Sequence, residues 1–447
     1  MPSPNPAATI TPLEPLKPDL YERAWCSVPH PTLPLLATAH GKSVTVFSLA
    51  SRTPHSTIPK GHERSIRSVA WQPALPPGEL CLATGSFDAS GALWRWGDED
   101  QDRGGSEDDE PAAHSDLETD VAGKFGGEGE GEGDKKDWHA ALILDGPDAE
   151  MKSIAFSPSG QYVAISSRDK SVWIWEDVGD EDDPIAWETV AVMSEHEGDV
   201  KMVAWCPDVS GRNSRRTFGA DVLASASYDD TVRIWREDSD GDWVSVAVLE
   251  GHKHTVWGVV WEGRERDRDK FPRLATHSGD GTIRIWKLEE DDSGQADAPA
   301  TATGVPGGLG GIPNTMRRGI KEDWTCEAVL PKVHDGDVYS ITWSSRTGLM
   351  ASAGSDGVIA LYREAAEYSI QDTQGTERTA EELEDLPGSR RWTVLTTVQN
   401  SHGPYEINHI TWCMRYDSVP EKKGVEEMLV TTGDDGRIRT WEVSVAS

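Results

Sequence analysis

The sequence predicts an all-β chain folded as a seven-bladed β-propeller, with its ring closed by the N-terminal strand. One abundance and two spacings carry this expectation. Tryptophan occurs 19 times in 447 residues. A histidine stands nine residues before a tryptophan in His62–Trp71, His196–Trp205, His252–Trp261 and His334–Trp343, and ten before in His402–Trp412. An aspartate stands six residues before a tryptophan in Asp88–Trp94, Asp169–Trp175, Asp229–Trp235, Asp280–Trp286 and Asp435–Trp441, and Asp356 stands six before Tyr362. Recurrence at fixed offsets marks a repeat architecture, in which chain length no longer counts domains.

The segments between these anchors read as strands. "SVAW", "MVAW" and "GVVW" are short and β-branched, "LATGS", "LASAS" and "MASAG" follow, and after a polar turn come "TVRIW", "TIRIW" or "SVWIW". Period-two alternation bounded by Asp, Gly and Ser turns describes half-buried strands. Three such strands, with a fourth from the segment behind them, make one blade. The units fall at roughly 16–49, 61–96, 146–176, 195–236, 251–287, 333–363 and 401–442 of one body, 1–447. The first is degenerate, with Gly41 in place of the aspartate and Phe47 in place of the tryptophan; the third has Pro147 in place of the histidine. The last unit stops soon after Trp441, and three strands alone would expose an edge. Ile10 to Leu20 is the expected fourth strand. Its Pro12, Pro15 and Pro18 suit only an outermost position, where missing N–H donors face solvent. The acidic or Gly-rich inserts 97–137, 289–320 and 364–389 hold too little apolar surface to order themselves and read as solvated loops rather than lures for a basic partner.

Composition excludes several function classes. The formal net charge is -34, a field that repels a nucleic-acid duplex and an anionic membrane at long range. No apolar run is long enough to cross a bilayer, and Met1 to Pro18 lacks the basic flank and apolar run of a signal peptide. The five cysteines (Cys26, Cys81, Cys206, Cys326 and Cys413) are scattered with no CxxC pair, which fits a reducing compartment and offers no thiolate site for zinc or an iron–sulfur cluster. No cofactor and no metal is expected. No nucleophile–base pair or phosphate loop appears, and "GGLGG" at 307–311 follows no strand of a βαβ unit, so catalysis is not expected.

The recurring His, Asp and Trp resemble the WD40 family across nearly the whole chain outside the inserts. The resemblance implies a buried hydrogen-bond network in each blade, formed by the loop His, turn Asp, a strand Ser or Thr and the strand Trp. Its members here are His62, Asp88, Trp94, Asp169, Trp175, His196, Asp229, Trp235, His252, Asp280, Trp286, His334, Asp356, His402, Asp435 and Trp441, read as structural and not catalytic. "IRSVAWQP", "SSRDKSVWIWE", "GHKHTVWGVVW", "CEAVLPKVHDGDVYSITW" and "HGPYEINHITW", taken in order, look like the branch of that family serving cytosolic iron–sulfur protein assembly, in a fungal form with long inserts. This implies a non-catalytic scaffold located in the cytosol, with the nucleus as a second site, serving cytosolic and nuclear clients. Its partners would be a small adaptor subunit, a large helical-repeat subunit, an iron-hydrogenase-like cluster carrier and apo-protein clients. It implies a monomeric propeller within a hetero-complex, with no direct contact to nucleic acid or membrane.

Docking residues are sought where the loops entering each first strand meet the turns before each third strand. The fifth position after the loop His gives Arg67, Lys152 (counted from Pro147), Lys201, Trp257 and Tyr339, and the position before the turn Asp gives Arg168. Cations and aromatics are the usual anchors of interfaces. For the lysines a solvated face paired with Glu150 and Asp199 is the stronger reading. For Arg168 the resemblance favours a binding role. Leu361-Tyr362-Arg363 spells LYR, a string read by iron–sulfur co-chaperones, but burial in a strand explains it. A chromatin or ubiquitin-ligase adaptor is the alternative. A Trp-Asp-x-Arg signature is absent from "WREDS", "WKLEE" and "WEDVG", and the cations at the channel mouth disfavour a histone-tail reader.

Overall fold

The computed structural model describes residues 8–97, 136–180, 185–207, 222–238, 240–264, 272–289, 321–364, 392–417 and 423–445. These form 28 strands in seven four-stranded antiparallel sheets. Blade 1 is β2 (Ala24–Pro29), β3 (Leu35–His40), β4 (Ser43–Ser48) and β5 (Pro54–Ile58). Blade 2 is β6 (Ile66–Trp71), β7 (Leu80–Ser86), β8 (Gly91–Gly97) and β9 (Asp137–Leu144); blade 3 is β10 (Met151–Phe156), β11 (Tyr162–Ser167), β12 (Val172–Asp177) and β13 (Trp187–Met193). Blade 4 is β14 (Val200–Trp205), β15 (Val222–Ser227), β16 (Val232–Glu237) and β17 (Trp243–Leu249); blade 5 is β18 (Val256–Trp261), β19 (Leu274–Ser278), β20 (Ile283–Leu288) and β21 (Trp324–Val329). Blade 6 is β22 (Val338–Trp343), β23 (Met350–Gly354), β24 (Ile359–Glu364) and β25 (Trp392–Val398); blade 7 is β26 (Ile407–Met414), β27 (Glu427–Gly433), β28 (Ile438–Val445) and β1 (Ala8–Pro12). The first strands pack side by side around the ring, from β2 through β26 and back to β2.

The second strand of each blade is buried nearly throughout, as in "LCLATGS", "VLASAS" and "MASAG". Small residues there let neighbouring sheets approach, and apolar clusters fill the space between blades, such as Leu82, Ile58 and Trp71 between blades 1 and 2. The ring closes through β1, which pairs antiparallel with β28 from Ala8↔Val445 to Pro12↔Trp441. This strand is earlier and shorter than the expected Ile10 to Leu20. Leu13, Leu16 and Leu20 continue along blade 7 outside the regular ladder, donating their N–H groups to the carbonyls of Thr440, Ile438 and Gly436, and Leu16 is buried in a cluster with Met428, Val430 and Ile438. Pro15 and Pro18 break the regular ladder, because each removes a donor. Gly97, Asp137 and Glu364, assigned above to inserts, are strand residues. The remainder of the three inserts, apart from Lys136 and Glu289, lies outside the described residues.

Candidate docking face

The propeller has two unlike ends. At one, the loop entering each first strand sits beside the turn between the second and third strands, and these connections are described without interruption. All eight internal segments outside the described residues begin and end at first-to-second or third-to-fourth strand connections, at the opposite end.

Loop and turn are tied by side chains. In blade 2, His62 Nδ1 lies 3.2 Å from Asp88, its Nε2 lies 2.7 Å from Thr84 Oγ1, and Trp94 Nε1 donates to that oxygen at 2.9 Å. The same relay joins His196, Asp229, Ser225 and Trp235 in blade 4, His252, Asp280, Thr276 and Trp286 in blade 5, and His402, Asp435, Thr431 and Trp441 in blade 7. With Nδ1 protonated, each ring donates to the carboxylate and accepts from the hydroxyl, which itself accepts from the indole. Every buried polar atom in the relay then has a partner, which removes the cost of its burial. The aspartate also takes the backbone N–H after the histidine, at 2.8 Å from Glu63 and 2.9 Å from Glu197. Burial pushes the Asp229 and Asp280 carboxyls up, but hydrogen bonds from His196 and Thr231, and from His252 and Thr282, outweigh it and hold both well below the usual range. In blade 6, His334 bonds Asp356 and Ser352, and Tyr362 OH stands 3.4 Å from the Ser352 hydroxyl.

Blade 3, with Pro147 in the histidine place, lacks the full network, as that substitution leads one to expect. Asp169 is present and accepts from the Asp148 and Ser171 N–H groups at 2.9 and 3.0 Å and from the Ser171 hydroxyl. Trp175 does not join it. Ile165 occupies the place of the strand hydroxyl, as Pro147 occupies that of the histidine, so the Trp175 indole has neither to reach. It stacks instead on Trp173, with centroids 5.6 Å apart. In blade 1, His40 Nε2 bonds Thr45 Oγ1 at 2.9 Å, and Phe47 is fully buried.

The column residues share a backbone feature that spacing alone did not reveal. In every blade the first and second strands lose register by one residue, leaving Arg67, Lys152, Lys201, Trp257 and Tyr339 as bulges. A bulged residue is unpaired and its side chain is re-aimed. Trp25 and Asn408 are the bulges of blades 1 and 7. Both escaped the count, because blade 1 has no loop histidine to count from and the His402–Trp412 spacing carries one extra residue. The bulged side chains of adjacent blades meet. The Arg67 guanidinium lies 5.2 Å over the Trp25 ring, Lys201 Nζ lies 5.5 Å from the Trp257 ring, and Trp257 meets Tyr339 edge-on at 5.1 Å. Lys152 Nζ sits 4.6 Å over Phe87, and Phe87 meets Trp25 at 5.6 Å. The result is a crescent of cations and aromatics running from blade 1 to blade 6.

Carboxylates answer most of these charges. Glu150 takes Lys152 at 2.6 Å and Arg64 at 3.0 Å, with Arg168 at 3.7 Å. The Lys152 hydrogen bond leads in holding the Glu150 carboxyl below its usual range. Asp199 takes Lys201 at 3.2 Å, and Asp337 accepts the Trp257 indole N–H at 3.2 Å. Burial, with Glu406 and Asp337 adding to it, pushes the Tyr339 phenol up to about 12. Arg168 is 59% exposed and borders an open depression with Arg64, Phe87, Ala89 and Glu150. The LYR string lies elsewhere, with Leu361 and Tyr362 buried in β24. Among the described residues, no group of three or more His, Cys, Asp or Glu is placed to hold a metal ion.

The WD40 family model (WD domain, G-beta repeat) matches residues 140–176, 187–236, 243–287 and 324–363. Three similar full-length proteins bear the name probable cytosolic iron-sulfur protein assembly protein 1. That of Neurospora crassa is 52% identical over 98% of this chain and 96% of its own. That of Chaetomium globosum is 53% identical over 100% and 99%, and that of Pyricularia oryzae 54% over 96% of each. A seven-bladed ring with loop-to-turn relays, matched nearly end to end at such identity, places this chain in the WD40-repeat family of fungal cytosolic iron–sulfur protein assembly protein 1.

Proposed function

We propose that the protein is a non-catalytic docking platform of cytosolic iron–sulfur protein assembly, holding partner subunits and apo-protein clients, some of them nuclear, while clusters are transferred. The cluster is cargo and is not held by this chain. The observation that supports this most is the crescent itself: bulged side chains from blade after blade, cationic and aromatic, presented at the end with short connections. Aromatics and arginines in such settings are the usual anchors of protein interfaces. The names of the relatives supply the pathway.

Arg168 is the proposed contact for a partner carboxylate. It projects from the turn before Asp169, mostly exposed, in a rigid setting fixed by its backbone N–H bond to the Glu150 carbonyl at 2.9 Å. Arg168→Glu should leave the fold intact, since Lys152 and Arg64 still neutralise Glu150, and should cost at least ~2 kcal/mol of partner or client capture. Lys170→Glu, in the same turn beyond Asp169, is the control and should do less. The test is an affinity purification beside a thermal melt. Normal capture by a well-folded Arg168→Glu protein would overturn the role of Arg168. Co-elution of histones or ubiquitin-ligase subunits in place of assembly factors would overturn the pathway.

A further inference from the structure

Among its bulged cations the crescent follows a charge rule that one residue breaks. In four blades an acid stands two residues before the bulge: Glu150 before Lys152, Asp199 before Lys201, Asp337 before Tyr339 and Glu406 before Asn408. In blade 2 that position is Ser65, so Arg67 has no acid of its own. The neighbours do not compensate. Arg23, at the matching position of blade 1, is another cation and is paired with Asp434 at 2.5 Å. Glu150 of blade 3 already serves Lys152, Arg64 and Arg168. Among the described residues Arg67 therefore has no carboxylate and no hydrogen-bond acceptor, only the face of Trp25 at 5.2 Å. A guanidinium carries five N–H donors in a fixed fork suited to oxyanions. Here it is half-buried, beside the charges of Lys152 and Lys201. Burial leads in pushing the Lys201 ammonium down, and both Lys152 and Arg67 push the same way.

We propose that Arg67 is the main contact of an oxyanion site on the bulge crescent, binding one carboxylate or phosphate group beside Trp25 and one blade from Lys152. This deepens the docking reading and rests on the same face. It differs from the Arg168 contact in a definite way. An anion at Arg168 competes with Glu150, whereas an anion at Arg67 competes with no carboxylate among the described residues.

The test needs no partner, so its failure is distinct from that of the docking reading. The isolated full-length protein is titrated calorimetrically at low ionic strength with inorganic phosphate and, separately, with acetate, against chloride at matched ionic strength. At least one of the two should bind saturably and raise the melting temperature, and which one does so identifies the group. Arg67→Met should weaken binding at least about tenfold, whereas Arg168→Met should change it less than about twofold. Should Arg67→Met fail to fold, Arg67→Lys keeps the charge without the fork and should weaken binding severalfold. Binding of neither anion beyond chloride overturns the site, and so does unchanged affinity in a folded Arg67→Met or Arg67→Lys protein.

Discussion

Trp235 and Trp175 stand at the same place in adjacent blades and are held differently. Trp235 donates its indole N–H to the Ser225 hydroxyl at 2.8 Å, closing the relay to His196 and Asp229, whereas Trp175 pairs with Val163, has Ile165 where that hydroxyl would stand, and rests on Trp173. Replacing either with phenylalanine removes a similar apolar area, but only Trp235→Phe also removes a buried hydrogen bond, worth about 1 kcal/mol net. Chemical denaturation should therefore show Trp235→Phe to be the costlier change by that amount, and equal costs would mean the relay adds nothing beyond packing. The contrast also shows what the sequence makes legible. The histidines, aspartates and tryptophans lie at fixed offsets along the chain, so their pairing could be read by counting. Whether a given relay closes depends on a fourth residue, a strand Ser or Thr facing the other three, and Ile165 stands there in blade 3. The bulge column was legible where the repeat could be counted from the histidine place, held by His62, Pro147 and His196 for Arg67, Lys152 and Lys201, whereas blade 1 offers no such place for Trp25 and the extra residue of His402–Trp412 hid Asn408.

At the scale of elements, β1 and the inserts make opposite contributions. β1 covers the edge of β28, buries Ala8 and Ile10, and leads into the buried Leu16 packed on Leu36 and Phe47 of blade 1. Removing residues 1–20 strips backbone pairing and two large apolar side chains from the seam where the ring closes, at a cost on the order of 5 kcal/mol. Residues 98–135, by contrast, join β8 to β9, strands already paired from Gly91↔Leu144 to Gly97↔Asp137. Replacing them with a four-residue turn shortens a loop whose closure entropy grows only logarithmically with length. The melting temperature should fall sharply for the first deletion and stay level or rise slightly for the second. An unchanged melt without residues 1–20 would remove β1 as the latch of the ring. That the last unit lacked a strand was legible from where the repeats stop. The register was not, because prolines mark an edge strand without fixing which residues pair.

Around the whole ring, cations and aromatics gather at the end where the loops enter the first strands, on a chain of net charge -34. Acid sensitivity comes from the interior. His277 and His409 lie among the inner strands: His277 donates its Nδ1–H to the Val338 carbonyl at 2.7 Å, and His409 feels the charge of Arg67 and the neighbouring His277. His30 packs edge-on against Trp71 at 4.9 Å. Burial lowers the pKa of all three to about 4, with like charges adding to it for His277 and His409. In the unfolded chain each takes up a proton near pH 6.5, whereas in the folded ring it does not until about pH 4. Between those limits the unfolded state binds more protons, so stability must fall as pH falls. Three such groups set a limiting slope of about 4 kcal/mol per pH unit. The relay aspartates behave differently. Their folded pKa values lie below the ordinary 3.8, so their contribution is full above about pH 5 and is lost progressively as pH falls through 3.8 toward the folded values. Denaturation midpoints should thus decline steadily from pH 6.5 to about 5, before the relay aspartates contribute, and the double substitution His277→Gln with His409→Gln should flatten that decline by up to about two protons. A midpoint constant down to pH 4.5, or a slope untouched in the double variant, would place the acid sensitivity elsewhere in the ring.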